Sequence, residues 1–480
     1  MHPTDLPAQD RGGSIDLLVH GGDVLTVDAS GTVVTDGAVA VRGGRIVEVG
    51  PAERLRAVYT AADELDARGC LVLPGLINTH THLAMTLFRG IADDVTLQGF
   101  LARVIPAEAQ GLSPQTVTAG IQGAIAESVR GGVTAALDMY WFHEAAEAVA
   151  RDAGWRLLTG PTFMDVPGPP DGRPYADRLG WAAADLAART PAPGTRPVIF
   201  AHSAYTLGPE QLTAISALAR EHGALLHIHA AENAGEVEMV TEQHGMRPVE
   251  LLDSLGVLGP DTLLAHAVDL TDAEIEAIAR TGTAIAHCPV SNLKLGCGIA
   301  RVPDLLDAGV TVGLGTDGAV SSNTLDLLGA VKLAALVHKA GGDPTAVGAE
   351  QAVRMATIES ARALGLGDQL GSLEPGKRAD LIVLDLSRPH LAPRHDPWSM
   401  LAYAAAASDV RDTVVDGRVL MRDRTLETLD EQRALRALRD AAASAAPSTR
   451  AAEAEPDTAS TSSTSSTDST DSTSEVASTV

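Results

Sequence analysis

The run LVLPGLINTHTHLAMTLFRG, residues 71–90, begins as an apolar, strand-like stretch and ends in two histidines, His80 and His82, with one residue between them. Because a β-strand points residues i and i+2 to the same side, both imidazoles face one spot. This spacing is typical of half a metal site, but two unrelated surface histidines would show it as well. The rest of the chain has to distinguish these alternatives.

Further apolar runs follow, and amphipathic helical stretches such as PEQLTAISALAREHG separate most of them. After LINTHTH these runs are VTAALDM, RLLTGPTF, VIFAHSAY, LLHIHAA, TLLAHAV, TAIAHCP and TVGLGTD. The alternation of strands and helices is typical of βαβ units that form a parallel sheet. Eight strands over roughly 250 residues match a (β/α)8 barrel. The sequence therefore predicts an α/β fold class with a TIM-like barrel over residues 73–374.

The two ends of the chain have a different texture. Early runs such as GAVAVRGGRIVEVG and late runs such as VRDTVVDGRVLMRD alternate Val-rich segments with turn residues, which is typical of hairpins. We expect residues 1–72 and 375–430 to form one small β-sandwich-like domain, with two independent β appendages as the alternative. Residues 442–480 are rich in Ser, Thr and Asp, cannot bury a core, and are predicted to be a disordered tail.

Composition narrows the class of partner. The 480 residues carry a formal net charge of -26, which disfavours nucleic acid and anionic membrane as partners. Three widely spaced cysteines without a CxxC pair disfavour a disulfide framework and a cysteine-based zinc site. The first residues lack the pattern of a signal peptide, and no long apolar run predicts a membrane span. We therefore expect a cytoplasmic protein with a small-molecule substrate, and large barrels of this kind commonly form homo-oligomers.

Polar residues recur at the carboxyl ends of the predicted strands. They are His80, His82, His202, His229 with Glu232 just beyond it, His266, His287 and Asp317. Singly, each is more often a hydrogen-bonded structural residue than a ligand, but in a barrel all of these strand ends meet at one mouth. The convergence predicts a metal site, where the ion would lower the pKa of a bound water toward neutrality.

The expected ligands of this metal are His80, His82, His229 and Asp317. Three imidazoles and one carboxylate suit a single zinc ion per subunit, with iron as the runner-up. His227 could also lie on the ligand face, and His229 is preferred because the HAAE segment places it next to Glu232.

Several motifs together resemble the amidohydrolase superfamily. The motifs are PGLINTHTHLAMTLFRGIADD, HIHAAENAGEVE, AHCPVSNLKLGCGIA, GLGTDGAVSSNTLDL and GSLEPGKRADLIVLDL. Within that superfamily they are similar to the branch with methylthioadenosine/S-adenosylhomocysteine deaminases and triazine hydrolases, over residues 14 to 430. The resemblance implies the same four metal ligands, with Glu232 as the proton shuttle and His266 as the residue that orients the attacking water. It also implies that Asp317 accepts a proton from that water.

The resemblance further implies a set of substrate contacts. These are Glu108 on the ribose hydroxyls, His202 and Ser321 in the same pocket, Phe100 where a Trp is usual, and Arg173 on a homocysteine carboxylate. A carboxylate such as Glu108 can accept hydrogen bonds from two vicinal hydroxyls. A second carboxylate-binding arginine of the branch is replaced by Gly160, and Arg156 lies too early in its strand to substitute for it.

The expected activity is therefore zinc-dependent hydrolytic deamination of adenosine-type nucleosides. The loss of one arginine favours methylthioadenosine or 5'-deoxyadenosine over S-adenosylhomocysteine as the substrate. One alternative is a deaminase or chlorohydrolase of guanine-like, pterin or triazine rings, which would need no group that binds a sugar. The other is a barrel without catalysis that serves as a binding module.

Overall fold

Strands and helices alternate along residues 12–445, the part of the chain that the computed structural model describes. The strands are β1 (Gly13–Leu25), β2 (Val33–Arg42), β3 (Arg45–Pro51), β4 (Tyr59–Asp66), β5 (Cys70–Pro74), β6 (Leu76–Thr81), β7 (Val133–Asp138), β8 (Arg156–Leu158), β9 (Thr162–Phe163), β10 (Val198–Ser203), β11 (Leu225–Ala230), β12 (Thr262–His266), β13 (Ala284–His287), β14 (Val312–Leu314), β15 (Leu381–Asp385), β16 (Val410–Val415), β17 (Arg418–Arg422) and β18 (Thr425–Leu426).

The α-helices lie mainly between the central strands. They are α1 (Ala52–Val58), α2 (Leu97–Gly111), α3 (Pro114–Arg130), α4 (His143–Ala153), α5 (Tyr175–Ala188), α6 (Pro209–Glu221), α7 (Ala234–His244), α8 (Pro248–Ser254), α9 (Asp272–Thr281), α10 (Pro289–Lys294), α11 (Val302–Asp307), α12 (Leu327–Val337), α13 (Ala349–Met355), α14 (Ile358–Ala363), α15 (Pro397–Tyr403) and α16 (Glu431–Ala445). Among the described residues, none of these helices is both long and apolar enough to cross a membrane.

Local sequence signals explain where helices begin and end. At the start of α9, the Thr271 hydroxyl accepts a hydrogen bond from the Glu274 backbone, and the Glu274 carboxylate accepts one from the Thr271 backbone. This reciprocal pair satisfies two of the backbone N–H groups that a helix start leaves unpaired. The helix then stops at Gly282, whose φ of 74° suits a residue without a side chain.

The central strands form parallel sheets, as the alternating pattern predicts. Strands β6, β7 and β8 form one sheet, and β14, β13, β12, β11, β10 and β9 follow one another in a second. Every pairing within these two sheets is parallel. Their interior is mainly aliphatic, with residues such as Leu137, Leu225 and Leu263 fully buried. The predicted α/β class with parallel strands is confirmed.

The third predicted run, RLLTGPTF, is two short strands rather than one. Pro161 has no backbone N–H to give to a ladder. The chain also comes so close to the next strand at Gly160 that a Cβ there would lie 2.2 Å from the Val198 carbonyl oxygen. The pairing is therefore interrupted between β8 and β9.

Strands from both ends of the described chain share one sheet. Within residues 12–445 it contains nine strands, in the order β18-β17-β16-β15-β5-β1-β2-β3, with β4 also paired to β1. The early and late segments join where β5 runs antiparallel to β15, with Val72 opposite Val383. The sandwich-like form and the domain limits 1–72 and 375–430 stay predictions. Helix α16 includes residues 442–445, which we expected in the tail, and the rest of that tail lies outside the described residues.

A buried ion pair ties β8 to the segment that precedes β15. The Arg156 guanidinium donates two hydrogen bonds to the carboxylate of Asp380, at 3.0 and 2.9 Å, and a third to Asp416 at 2.8 Å. The Arg156 and Asp380 side chains are only 2% and 4% exposed. Arg156 therefore has a structural role here and does not replace the arginine missing at Gly160.

Replacing Arg156 with methionine should destabilise the fold strongly. The change leaves the Asp380 carboxylate buried without its cation, and loss of one partner from a buried pair costs about 3–5 kcal/mol. Urea unfolding followed by circular dichroism measures the loss in the free energy of unfolding. Arg151→Met is the matched control, because the Arg151 side chain is 74% exposed and, within residues 12–445, forms its one ion pair with the exposed Asp152. Equal unfolding free energies for both variants would contradict this account.

Candidate metal centre and active site

The structure brings the predicted metal ligands together at the carboxyl ends of their strands. Nitrogen atoms of His80, His82 and His229 lie within 4.8 Å of one another. Oδ1 of Asp317, just beyond β14, lies 3.4 Å from His80 Nε2 and 3.3 Å from His82 Nε2. Three imidazoles and one carboxylate oxygen thus converge from three different strands.

Hydrogen bonds from the Nδ1 atoms orient the imidazoles of His82 and His229. Nδ1–H of His82 donates to the Met139 carbonyl oxygen at 2.6 Å, and Nδ1–H of His229 donates to the His202 carbonyl oxygen at 2.8 Å. A carbonyl oxygen can only accept, so each Nδ1 carries the proton and each Nε2 keeps its lone pair. Nε2 of the fully buried His80 has no hydrogen-bond partner among the described residues.

These features fit a bound metal ion. Unpaired, buried imidazole nitrogens are costly unless something binds them, and a metal ion binds the neutral form. Burial lowers the pKa of His80 to about 4, and it also lowers the pKa values of His82 and His229. The imidazoles are therefore neutral and able to bind a metal near neutral pH.

Two serine hydroxyls hold the other oxygen of the carboxylate. Ser291 and Ser321 each donate a hydrogen bond of 2.6 Å to Asp317 Oδ2, which leaves Oδ1 facing the imidazoles. Burial opposes ionisation of Asp317, but the neighbouring imidazoles of His80, His82 and His266 outweigh it and hold the pKa of Asp317 well below its usual range. Ser321 thus contacts a predicted ligand, and sequence reasoning missed Ser291.

Glu232 and His266 form an acid–base pair beside this cluster. His266 Nε2 lies 3.9 Å from Glu232 Oε1, and Nδ1–H of His266 donates to Asn292 Oδ1 at 2.8 Å. Burial raises the pKa of Glu232. For His266, burial works against the charged form, but the carboxylates of Glu232 and Asp317 raise its pKa above the ordinary value. Groups with shifted pKa values in contact are suited to proton transfer.

A second buried acid shapes the turn that carries Glu232. The Glu236 carboxylate accepts hydrogen bonds from the backbone N–H of Ala231 at 3.2 Å and of Glu232 at 2.6 Å. Ala231 has a φ of 52°, a left-handed conformation that a residue with a side chain seldom adopts without support. Glu236 therefore positions Glu232, and its place four residues later in HAAENAGE could have signalled this role.

A cavity opens over the cluster, and most of the predicted substrate contacts line it. Phe100, Glu108, His202 and Ser321 all face this cavity, together with the predicted ligands His82, His229 and Asp317. The structure places Arg173 elsewhere. Its guanidinium lies 3.9 Å above the Trp181 ring and 3.6 Å from the Asp171 carboxylate.

Sequence reasoning missed two aromatic residues of the cavity wall, Tyr140 and Trp141. The Tyr140 hydroxyl donates a hydrogen bond of 2.6 Å to Glu108 Oε1, and burial raises the pKa of Glu108 to about 7. The signal was available, because adjacent aromatics just after β7 stand out in a chain with only 3% aromatic residues.

Comparison with curated proteins supports the expected resemblance. The chain is 46% identical over 418 residues to a 5-methylthioadenosine/S-adenosylhomocysteine deaminase from Syntrophobacter fumaroxidans, covering 86% of this chain and 95% of that protein. It is 39% identical over 428 residues to a 5'-deoxyadenosine deaminase from Methanosarcina mazei, covering 88% and 96% of the two chains.

Solved structures show the same fold. An adenosine deaminase from Xanthomonas campestris with bound zinc matches with a TM-score of 0.86 and 35% identity, over 90% of this chain and 99% of that chain. An atrazine chlorohydrolase from Arthrobacter aurescens, complexed with zinc, matches with a TM-score of 0.83 and 28% identity, over 89% and 100%.

A family model described as the amidohydrolase family matches residues 71–420, which include the predicted ligands, Glu232 and His266. A model of an imidazolonepropionase-like composite domain matches the short segment 37–62. The resemblance drawn from the motifs is confirmed. This chain belongs to the amidohydrolase family, and its deaminase relatives mark it as a hydrolase of carbon–nitrogen bonds.

Proposed function

We propose that this chain is a zinc-dependent hydrolytic deaminase of adenosine-type nucleosides that releases ammonia. The observation that carries the proposal is the shared cavity, which is lined by three of the predicted ligands, by the acid Glu232 and by the carboxylate of Glu108. Relatives named as deaminases of methylthioadenosine, S-adenosylhomocysteine and 5'-deoxyadenosine support it over most of the chain.

We assign the metal ligands to His80, His82, His229 and Asp317, with one zinc ion per subunit. The three nitrogen donors and one carboxylate oxygen suit zinc, and iron is the second choice for the same set. Zinc-bound structures of similar chains support this choice. When bound, the ion would supply a water of lowered pKa as the nucleophile.

We also propose that the two parallel sheets close into a (β/α)8 barrel. At one junction, the Asp317 backbone N–H donates to the His80 carbonyl oxygen at 3.0 Å, and the Thr79 hydroxyl donates to the Leu314 carbonyl oxygen at 2.8 Å. At the other, β8 and β9 belong to one interrupted run. Closure would explain why residues from the first and last strands meet at one site.

The surrounding residues would carry the protons. Glu232, whose pKa is raised by burial, is the group best suited to deliver a proton to the ring nitrogen beside the reacting carbon. His266 is held by Asn292 and would orient the attacking water and stabilise the developing negative charge. Asp317 would accept the water's proton only transiently, because its pKa is low and two serines already donate to it. Asp317 would then give the water's proton to the leaving amine, and the hydroxyl proton of the intermediate would return to Glu232 as ammonia departs.

Glu108 is the proposed sugar-binding group. Tyr140 donates to Oε1 of Glu108, so one oxygen of this carboxylate is anchored to the wall while the group still faces the cavity. A carboxylate accepts strong hydrogen bonds from hydroxyls, and a ribose offers two neighbouring ones. Phe100 would pack against the substrate, and His202 would contact the base or sugar.

The 5'-substituent is proposed to be uncharged. A side chain at position 160 would collide with the Val198 carbonyl oxygen, so an arginine cannot stand there in this backbone. Arg173 does not line the cavity, and its guanidinium is stacked on Trp181 beside the Asp171 carboxylate. Both observations favour methylthioadenosine or 5'-deoxyadenosine over S-adenosylhomocysteine.

Ammonia release by the zinc-loaded protein tests the proposal. The panel is adenosine, 5'-deoxyadenosine, methylthioadenosine, S-adenosylhomocysteine, guanine and a pterin, with chloride release measured for a chlorotriazine. We expect turnover to be concentrated on the adenosine derivatives, with S-adenosylhomocysteine the weakest of them. Turnover confined to free bases or the triazine would favour the alternative function, which the fold shared with the atrazine chlorohydrolase keeps open.

The role of Glu108 predicts a pH-dependent effect of Glu108→Gln. With a pKa of about 7, Glu108 is ionised above that pH and protonated below it, and the charged form is the stronger acceptor. At pH 8.5 we expect kcat/KM for 5'-deoxyadenosine to fall roughly ten- to hundredfold in the variant. The ratio of wild type to variant should shrink toward one at pH 5.5. A ratio that stays constant from pH 5.5 to 8.5 would show that Glu108 does not act through its charge.

The role of Glu236 predicts coupled losses in Glu236→Ala. The change leaves the backbone N–H groups of Ala231 and Glu232 without an acceptor, which should lower the free energy of unfolding by about 1–3 kcal/mol. It should also reduce kcat, since the Glu232 turn loses its support. Denaturant unfolding and steady-state kinetics measure the two effects. Glu238→Ala, on the exposed side of α7, is the control and should change neither.

A further inference from the structure

His227 lies two residues before His229 on β11, where a strand would point both imidazoles to the same side. The structure shows that His227 does not contribute a free nitrogen to the cluster. Its Nε2 lies 2.7 Å from His80 Nδ1, and its Nδ1 lies 2.9 Å from the Leu263 carbonyl oxygen. The side chain is fully buried, so both ring nitrogens depend on these two contacts.

The chain of contacts determines where each proton sits. The Leu263 carbonyl oxygen can only accept, so Nδ1 of His227 carries the proton and donates it. Nε2 of a neutral His227 then has a lone pair and accepts from Nδ1–H of His80. His80 is left with its own lone pair on Nε2, the atom that lies 3.4 Å from Asp317 Oδ1 and has no hydrogen-bond partner among the described residues.

His80 differs in this respect from the other two imidazoles. Backbone carbonyls hold His82 and His229, and a substitution cannot remove a backbone carbonyl. The partner of His80 is a side chain. In the absence of His227, a proton on His80 Nδ1 would be buried without an acceptor, which favours the tautomer with the proton on Nε2. That tautomer carries its lone pair on Nδ1 and has none on Nε2, the atom that faces the proposed metal position.

We propose that His227 is a positioning residue that holds His80 in its metal-binding tautomer, through a relay from the Leu263 carbonyl oxygen to His227 and then to His80. The inference rests on the proposed metal site and assigns His227 a role outside the ligand set. Partners that orient a metal-ligating histidine typically contribute ten- to hundredfold to metal affinity.

Two substitutions separate this role from packing. His227→Gln places an amide oxygen near the position of Nε2 and can still accept from His80. His227→Asn places its polar atoms near the position of Nδ1, so it can contact the Leu263 carbonyl oxygen but does not reach His80. We expect the zinc dissociation constant, measured by competition with a chelator, to rise roughly 10- to 100-fold in His227→Asn. In His227→Gln it should stay within a few-fold of wild type.

Further variants complete the test. His227→Leu removes both polar atoms at similar volume and should weaken zinc binding as His227→Asn does, so the test survives if one variant fails to fold. His287→Asn is the matched control, because His287 is also a buried histidine at a strand end. Its Nε2 lies 3.4 Å from His338 Nε2, and it is not hydrogen-bonded to any of the four proposed ligands. It should bind zinc as wild type does.

The outcomes separate the inference from the proposed function. The metal-free variants are also compared by thermal unfolding. The role of His227 would be overturned if the His227→Gln and His227→Asn variants bound zinc with equal affinity. It would also be overturned if the loss of zinc affinity in each variant simply followed its loss of unfolding temperature. If wild type binds zinc and deaminates nucleosides in that case, the proposed function still stands. A wild type that binds no zinc would instead contradict the proposed function.

Discussion

The site depends on one type of contact, a hydrogen bond from a histidine side chain to a neighbouring strand. Met139, His202 and Leu263 each supply a backbone carbonyl oxygen that accepts from the Nδ1 of an imidazole on the adjacent strand. Parallel strands place these carbonyls beside the imidazoles of their neighbours. Each bond fixes a ring orientation and a tautomer together, so the backbone pairing of the strands also determines where the Nε2 atoms point.

The arrangement of the site requires strained backbone at two strand ends, and its burial shifts the pKa values of the groups within it. The left-handed φ values of His266 and Asp317, 71° and 60°, are unusual for residues with side chains and lie directly at the strand ends of the site. The same burial keeps His80 neutral and raises the pKa of Glu232. Desolvation thus favours the neutral forms of the acid and of the imidazole within one cavity, because it disfavours the charged form of both.

The sequence predicted the parallel strands and the convergence of the ligand residues, because both depend on simple periods. The alternation of apolar strands with helices indicates a parallel sheet, and a spacing of two places His80 and His82 on one side. Contacts between segments distant in sequence carry no such period. The roles of Ser291, Tyr140 and His227 each depend on a side chain that reaches them from a distant segment of the chain. The split at Gly160 was missed for the same reason, since it follows from the approach of Val198.

The ligand cluster and the substrate pocket are built from different parts of the fold, and this separation bears on substrate choice. The proposed ligands lie at the ends of buried parallel strands, where a shift of one residue would turn every imidazole away. Arg173 belongs instead to the connection between β9 and α5, outside the sheets. Loops tolerate substitution better than packed strands, so a chain can lose a carboxylate-binding arginine and keep its hydrolytic chemistry. Position 160 does not tolerate such a substitution, because the close approach of the Val198 carbonyl oxygen leaves no room for a larger residue. The proposed preference for an uncharged 5'-substituent therefore rests in part on how closely β10 approaches the interrupted third run.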